Sequence, residues 1–140
     1  MGLLDNYSGI GMSPRPKWQH QIAMKNALRY MYDEIEEQGL LIMTEATVTD
    51  DWDDLAPDMV VFDKQYHPVM IIEITTHKEV RAIMRKCGEL IARFPKAEYF
   101  VYDYERKILY RFAPEHARWL SSEQYDLYSA FLTRPVINYF

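Results

Sequence analysis

Asp58 and Glu73 are fifteen residues apart, a spacing that a symmetric β-hairpin turns into a face-to-face pair. The apolar runs Met59 to Phe62 and Val69 to Ile74 flank a polar hexapeptide, Asp63 to Pro68, which reads as the connecting loop. With its midpoint between Gln65 and Tyr66, Asp58 falls directly opposite Glu73. Like charges at opposed cross-strand positions, roughly 5 Å apart, destabilise a sheet. Either one carboxyl takes a raised pKa, or the two share a divalent cation. Mg²⁺ suits the second case, because it is held by one or two carboxylates and keeps positions for water and a substrate phosphate. An ordinary hairpin with solvated acids at its ends is the alternative. Against it stands the position of Glu73 inside the apolar run VMIIEIT, where an unpaired carboxylate is costly. Strand alternation puts Asp58, Val60 and Phe62 on one face with Val69, Ile71, Glu73 and Thr75, so Thr75 points toward the pair.

Pro57-Asp58, a hairpin, then Glu73-Ile74-Thr75 resembles the signature of the PD-(D/E)XK nuclease superfamily, whose fold is restriction-endonuclease-like. The resemblance implies a Mg²⁺ site, with Mn²⁺ as substitute, made by Asp58, Glu73 and the carbonyl of Ile74. The third motif residue in that family is usually Lys; here it is Thr75, which can supply only a hydrogen bond. In this the chain is similar to a branch of bacterial proteins regarded as endonucleases, in which a Lys on the next helix stands in. Lys86, thirteen residues after Glu73, matches that place, and RKCGELIARFPKAEYFVYD resembles the branch's run from that Lys into the next strand. His20 resembles a His frequent in the branch's first helix. In many members an acid from that helix joins the metal site, which makes Glu34 a candidate, with Glu37 beside it. A capping or packing role for His20 and a surface role for Lys86, its stem laid along apolar side chains, are the alternatives.

The elements that must hold these residues are legible from periodicity. A helix is expected from after Pro16 to about Gln38, with Met24, Leu28, Met31 and Ile35 as its buried stripe and Gly39 as its stop. Residues 40 to 48 are strand-like, and TDDWDDLA after them reads as an acidic loop without the spacing of an EF-hand. Thr75 or Thr76 is the expected cap of a helix from His77 to Phe94. Its stripe of Val80, Ile83, Met84, Cys87, Leu90, Ile91 and Phe94 is the strongest helical signal in the chain. Lys78, Arg81 and Arg85 on that helix are candidate phosphate contacts, with a solvated face as the alternative. Ala97 to Tyr102 and Lys107 to Phe112 form a second hairpin. Its tyrosines, Tyr99, Tyr102, Tyr104 and Tyr110, read as core and cross-strand residues or as a face for nucleotide bases. Glu115 to Leu132 is expected as a last helix anchored by Trp119, Tyr125, Tyr128 and Phe131. The tail PVINYF is apolar and reads as a docking segment or a homodimer contact.

The fold class expected is α/β in the α+β sense: an αβββαβ core with a mixed central sheet flanked by helices. Residues 1–16 read as a flexible N-terminal arm and residues 17–140 as a single nuclease-like domain. The chain of 140 residues has room for one core. No apolar run reaches a membrane span, and Met1 to Ser13 lacks the form of a signal peptide, so a cytoplasmic protein is expected. The lone Cys87 cannot make an internal disulfide and reads as a core residue. The net charge of -5 is unevenly spread. Eleven acids and no Lys or Arg lie between Tyr30 and Asp63, whereas Lys64 to Arg111 holds ten basic and six acidic residues. An acidic total counts against strong non-specific DNA binding but leaves local patches free to bind phosphate. The function expected is metal-dependent hydrolysis of phosphodiester bonds in DNA. The alternative is an inactive nuclease-fold protein that binds nucleic acid or another protein.

Overall fold

A computed structural model describes residues 18–49 and 55–140. The N-terminal arm and most of the acidic loop lie outside the described residues. Helix α1 spans Trp18–Glu37, and strands β1 to β3 span Leu41–Thr44, Met59–Phe62 and Pro68–Thr75. A 3₁₀ turn, His77–Glu79, leads into α2, Val80–Arg93, and strands β4 to β6 follow at Glu98–Asp103, Ile108–Ala113 and Arg118–Ser121. The six strands form one sheet in the order β1-β2-β3-β4-β5-β6. Only β3 and β4 run parallel, because α2 must carry the chain back to start β4 beside β3. The sheet is therefore mixed, as expected.

Strand alternation sorts the core onto two faces. Met59, Val61, Met70, Ile72, Ile74, Phe100 and Leu109 pack against Ala27, Met31 and Ile35 of α1. Val60, Phe62, Ile71 and Tyr99 pack against Leu90 on the other face, and Val101 against Val80 and Cys87 of α2. One helix per face buries both sides of the central strands, which is why β2 and most of β3 are apolar at successive positions.

Gly39 ends α1 in the left-handed region at φ 78°, and a Cβ there would meet the Lys64 side chain at 2.6 Å. The first hairpin keeps the expected register through Met59↔Ile72, Val60↔Ile71 and Val61↔Met70. It then slips at a bulge, so that Phe62 faces Pro68. That slip moves Val69 off the predicted face; it packs with the α1 core.

Two expectations are corrected. Thr76 precedes the 3₁₀ turn but makes no side-chain capping bond, and its Oγ1 is buried without a hydrogen-bond partner among the described residues. The helix predicted from Glu115 to Leu132 is absent. Arg118–Ser121 pairs with the open edge of β5, after a turn in which Ala117 adopts φ 50°. The aromatic spacing misled: Trp119 packs edge-on against Phe112 as a cross-strand neighbour, while Tyr125 and Tyr128 are exposed. The tail docks within the chain, with Val136 and Tyr139 fully buried and Phe140 stacked on Tyr102 at 4.2 Å.

Candidate active site

The site lies where β2 begins and β3 nears its end. One step beyond the Met59↔Ile72 pair, β2 has stopped, and the next N–H of β3 on that side has no strand partner. The Asp58 side chain takes it: Ile74 N–H donates to Asp58 Oδ2 at 2.7 Å. Asp58 N–H in turn donates to Glu73 Oε1 at 3.3 Å. The hairpin therefore brings the two acids together, each carboxylate tied to backbone beside the other.

Their surroundings differ. Glu73 is buried, and burial together with the Asp58 charge raises its pKa despite the opposing Lys86 ammonium. Asp58 is partly exposed. Burial pushes its pKa up as well, but the hydrogen bonds from His20 and the Ile74 N–H outweigh burial and leave it below the ordinary value. The two carboxyls are thus driven apart in proton affinity, the arrangement expected when like charges share a site.

Two basic side chains, His20 and Lys86, close on the pair from opposite faces of the sheet. From α1, His20 Nε2–H donates to Asp58 Oδ2 at 3.3 Å. That bond, with the nearby Ile74 carbonyl, raises the His20 pKa against the cost of burial. From α2, Lys86 Nζ lies 3.0 Å from Glu73 Oε2. Burial lowers the Lys86 pKa, yet the Glu73 carboxylate more than compensates, so the ammonium stays charged. The approach is that of an ion pair, off hydrogen-bonding geometry, and Glu73 Oε2 is left buried without a hydrogen bond. Buried carboxylate oxygens with unused lone pairs are the hard donors Mg²⁺ takes. No cluster of three or more His, Cys, Asp and Glu placed to hold a metal occurs among the described residues. Any ion held here would rely on two carboxylates, backbone and water, which is within the habits of Mg²⁺.

Of the other candidates, Thr75 is buried, on the Glu73 face by alternation. Lys78, Arg81 and Arg85 are exposed, and neither a hydrogen bond nor an ion pair joins them to the acids. Glu34 is not part of the cluster. Its carboxylate accepts from Thr133 N–H and Oγ1 and from the Tyr139 hydroxyl, with Arg134 at 4.0 Å. The C-terminal segment claims it, at a sequence separation no local pattern reveals. Cys87 is buried, which pushes its thiol up to about 12, so it is no nucleophile. Tyr99 and Tyr102 are core residues, and Tyr104 meets the His20 ring edge-on at 6.2 Å.

One pairing escaped the sequence entirely. At the end of β4, the buried Asp103 accepts Glu105 and Arg106 N–H groups through Oδ1 and His77 Nδ1–H through Oδ2 at 2.6 Å. The Asp at the head of a turn was a readable signal; its His partner, 26 residues away, was not. A cavity of about 630 Å³ lies elsewhere, lined by Leu41, Val48, Phe62, Tyr66 and Phe94, and holds none of these acids.

Fold and sheet order define an α+β protein with an αβββαβ core and a mixed six-stranded sheet. The chain shares its fold with a crystal structure from Anabaena variabilis ATCC 29413 described as "a putative nuclease belonging to DUF820", at a TM-score of 0.65 and 15% identity. The likeness covers 92% of this chain and 84% of that one. At that identity it establishes the fold alone. No family model matches the chain, and no curated protein does.

Proposed function

We propose that this protein is a Mg²⁺-dependent nuclease that hydrolyses phosphodiester bonds in DNA in the cytoplasm, on the branch of PD-(D/E)XK enzymes whose motif Lys sits on the following helix. The observation that carries the reading is the buried Glu73, hydrogen-bonded to the Asp58 backbone and 3.0 Å from Lys86. A buried carboxylate beside another carboxylate costs folding energy, and such perturbed groups cluster at functional sites.

Asp58, Glu73 and the Ile74 carbonyl are the residues that would hold the ion. When bound, Mg²⁺ or Mn²⁺ lowers the pKa of a water and offsets charge on the phosphate. Lys86, kept protonated by Glu73, is a fixed positive charge for the phosphate oxygens and not a general base. It takes the electrostatic role that Thr75 cannot fill. His20 holds the Asp58 carboxylate in one orientation and in its ionised form.

Incubating the purified protein with single- and double-stranded DNA in Mg²⁺ or Mn²⁺, beside a Glu73→Gln control, tests the reading. Cleavage lost in the variant supports it. A second reading, a non-catalytic interaction protein that retains the architecture, is favoured by Thr75 at the usual Lys position. The absence of both cleavage and calorimetric Mg²⁺ binding would select that one.

A further inference from the structure

A second cavity, about 250 Å³, opens at the start of α1 against the turn of the β4–β5 hairpin and the C-terminus. Trp18 and Tyr104 are among its walls, and Tyr102 and Phe140, stacked at 4.2 Å with their planes 20° apart, also line it. Polar groups stand among these rings: the amides of Gln19 and Asn26 and the ammonium of Lys107. Trp18 is 65% exposed, an indole left in water on the first turn of a helix. Flat aromatic faces with amides and a cation among them are what recognises an unstacked nucleobase.

Position ties this cavity to the acids. His20, beside Gln19 on α1, touches Asp58 at 3.3 Å on one side and meets the Tyr104 ring at 6.2 Å on the other. The cavity thus begins one side chain away from Asp58, across His20. Charge argues against a duplex. A chain of net charge -5, with eleven acids and no Lys or Arg between Tyr30 and Asp63, has little to offer the dense phosphates of a duplex. Stacking on exposed rings adds affinity for unpaired bases that a duplex, with its bases already stacked, cannot gain.

We infer that the Trp18–Tyr104 cavity takes the base next to the scissile phosphate, and that the substrate is single-stranded DNA. This rests on the nuclease reading for its substrate, but its binding test does not require cleavage.

The test uses a fluorescein-labelled single-stranded oligodeoxynucleotide of mixed sequence and its duplex, with anisotropy read on the Glu73→Gln protein in Mg²⁺. Trp18→Ala, Trp18→Phe and Tyr104→Ala are then added to that background, and thermal unfolding confirms that each is folded. The expected result is tighter binding of the single strand than of the duplex, weakened about ten-fold or more by Trp18→Ala or Tyr104→Ala. Trp18→Phe, which keeps a stacking face, should restore most of it. Equal single-strand binding by Trp18→Ala and its parent, or a preference for duplex, overturns the inference. If the protein without substitutions cleaves DNA while Trp18→Ala changes neither KM nor binding, the cavity assignment fails and the nuclease reading survives. If nothing is cleaved but the binding pattern holds, the nuclease reading fails and the base site stands.

Discussion

At the residue scale, the proposed chemistry rests on two carboxyls pushed in opposite directions by their surroundings. Glu73 has a folded pKa above its ordinary value of 4.5. Its contribution to stability is therefore present in full below that pH and lost as pH rises through the folded value. Above its folded pKa the ionised side chain works against folding, so Glu73→Gln should abolish cleavage and yet raise the melting temperature in metal-free buffer at the high-pH end of the stability profile. An unchanged or lower melting temperature would show that the Lys86 ion pair more than offsets burial. Lys86 is about 41% exposed, and on truncation its loss opens no cavity in the core. Lys86→Ala should lower kcat by about 10²-fold or more, as for other fixed transition-state charges, and should lower the melting temperature where Glu73 is ionised, because that carboxylate loses its ion-pair partner. Undiminished turnover would remove it from the mechanism.

At the scale of elements, two carboxylates do structural work that resembles capping. Glu34 on α1 gathers the C-terminal segment through Thr133 and Tyr139. Burial pushes its pKa up, but those hydrogen bonds outweigh burial and hold it below 4.5. Its stabilising contribution is present above pH 4.5 and lost as pH falls through the folded value, the reverse of Glu73. Glu34→Ala should cost about 1–2 kcal/mol at neutral pH and flatten the acid limb of the stability profile, measured by urea unfolding at a series of pH values. Asp103 joins the end of β4 to its turn and to His77. Asp103→Ala leaves two backbone N–H groups and an imidazole short of an acceptor, for a loss of about 2–3 kcal/mol. A smaller loss in urea would mean that water replaces the carboxylate at little cost. The αβββαβ order was readable because α1, α2 and both hairpins carry strong local periodicity and turn residues. Strand β6 was not, because four residues, RWLS, become a strand only when the free edge of β5 offers them a partner.

For the molecule as a whole, the sheet carries the site at the point where β2 ends and β3 continues, with a helix from each face adding a basic side chain. A metal at the two carboxylates should bind the folded chain and not the unfolded one. Mg²⁺ at a hundred times its dissociation constant should therefore add about 2.7 kcal/mol of stability, seen as a melting-temperature rise of several degrees that EDTA reverses. Asp58→Asn should abolish the rise. No rise in the protein without substitutions would leave the acids without an ion to share. No helix among the described residues is long and apolar enough to cross a membrane.

Residue order alone fixed the pairing of Asp58 with Glu73, because hairpin register follows from local alternation and loop length. It also fixed the stripe that puts Lys86 at the margin of the α2 core. Which partners reached those acids was settled only by packing. His20 meets Asp58 across 38 positions, and Glu34, its helix mate, turns instead to residues 99 and 105 positions away. Contacts of that span depend on how α1 lies across the sheet and where the tail docks, and no local period encodes either.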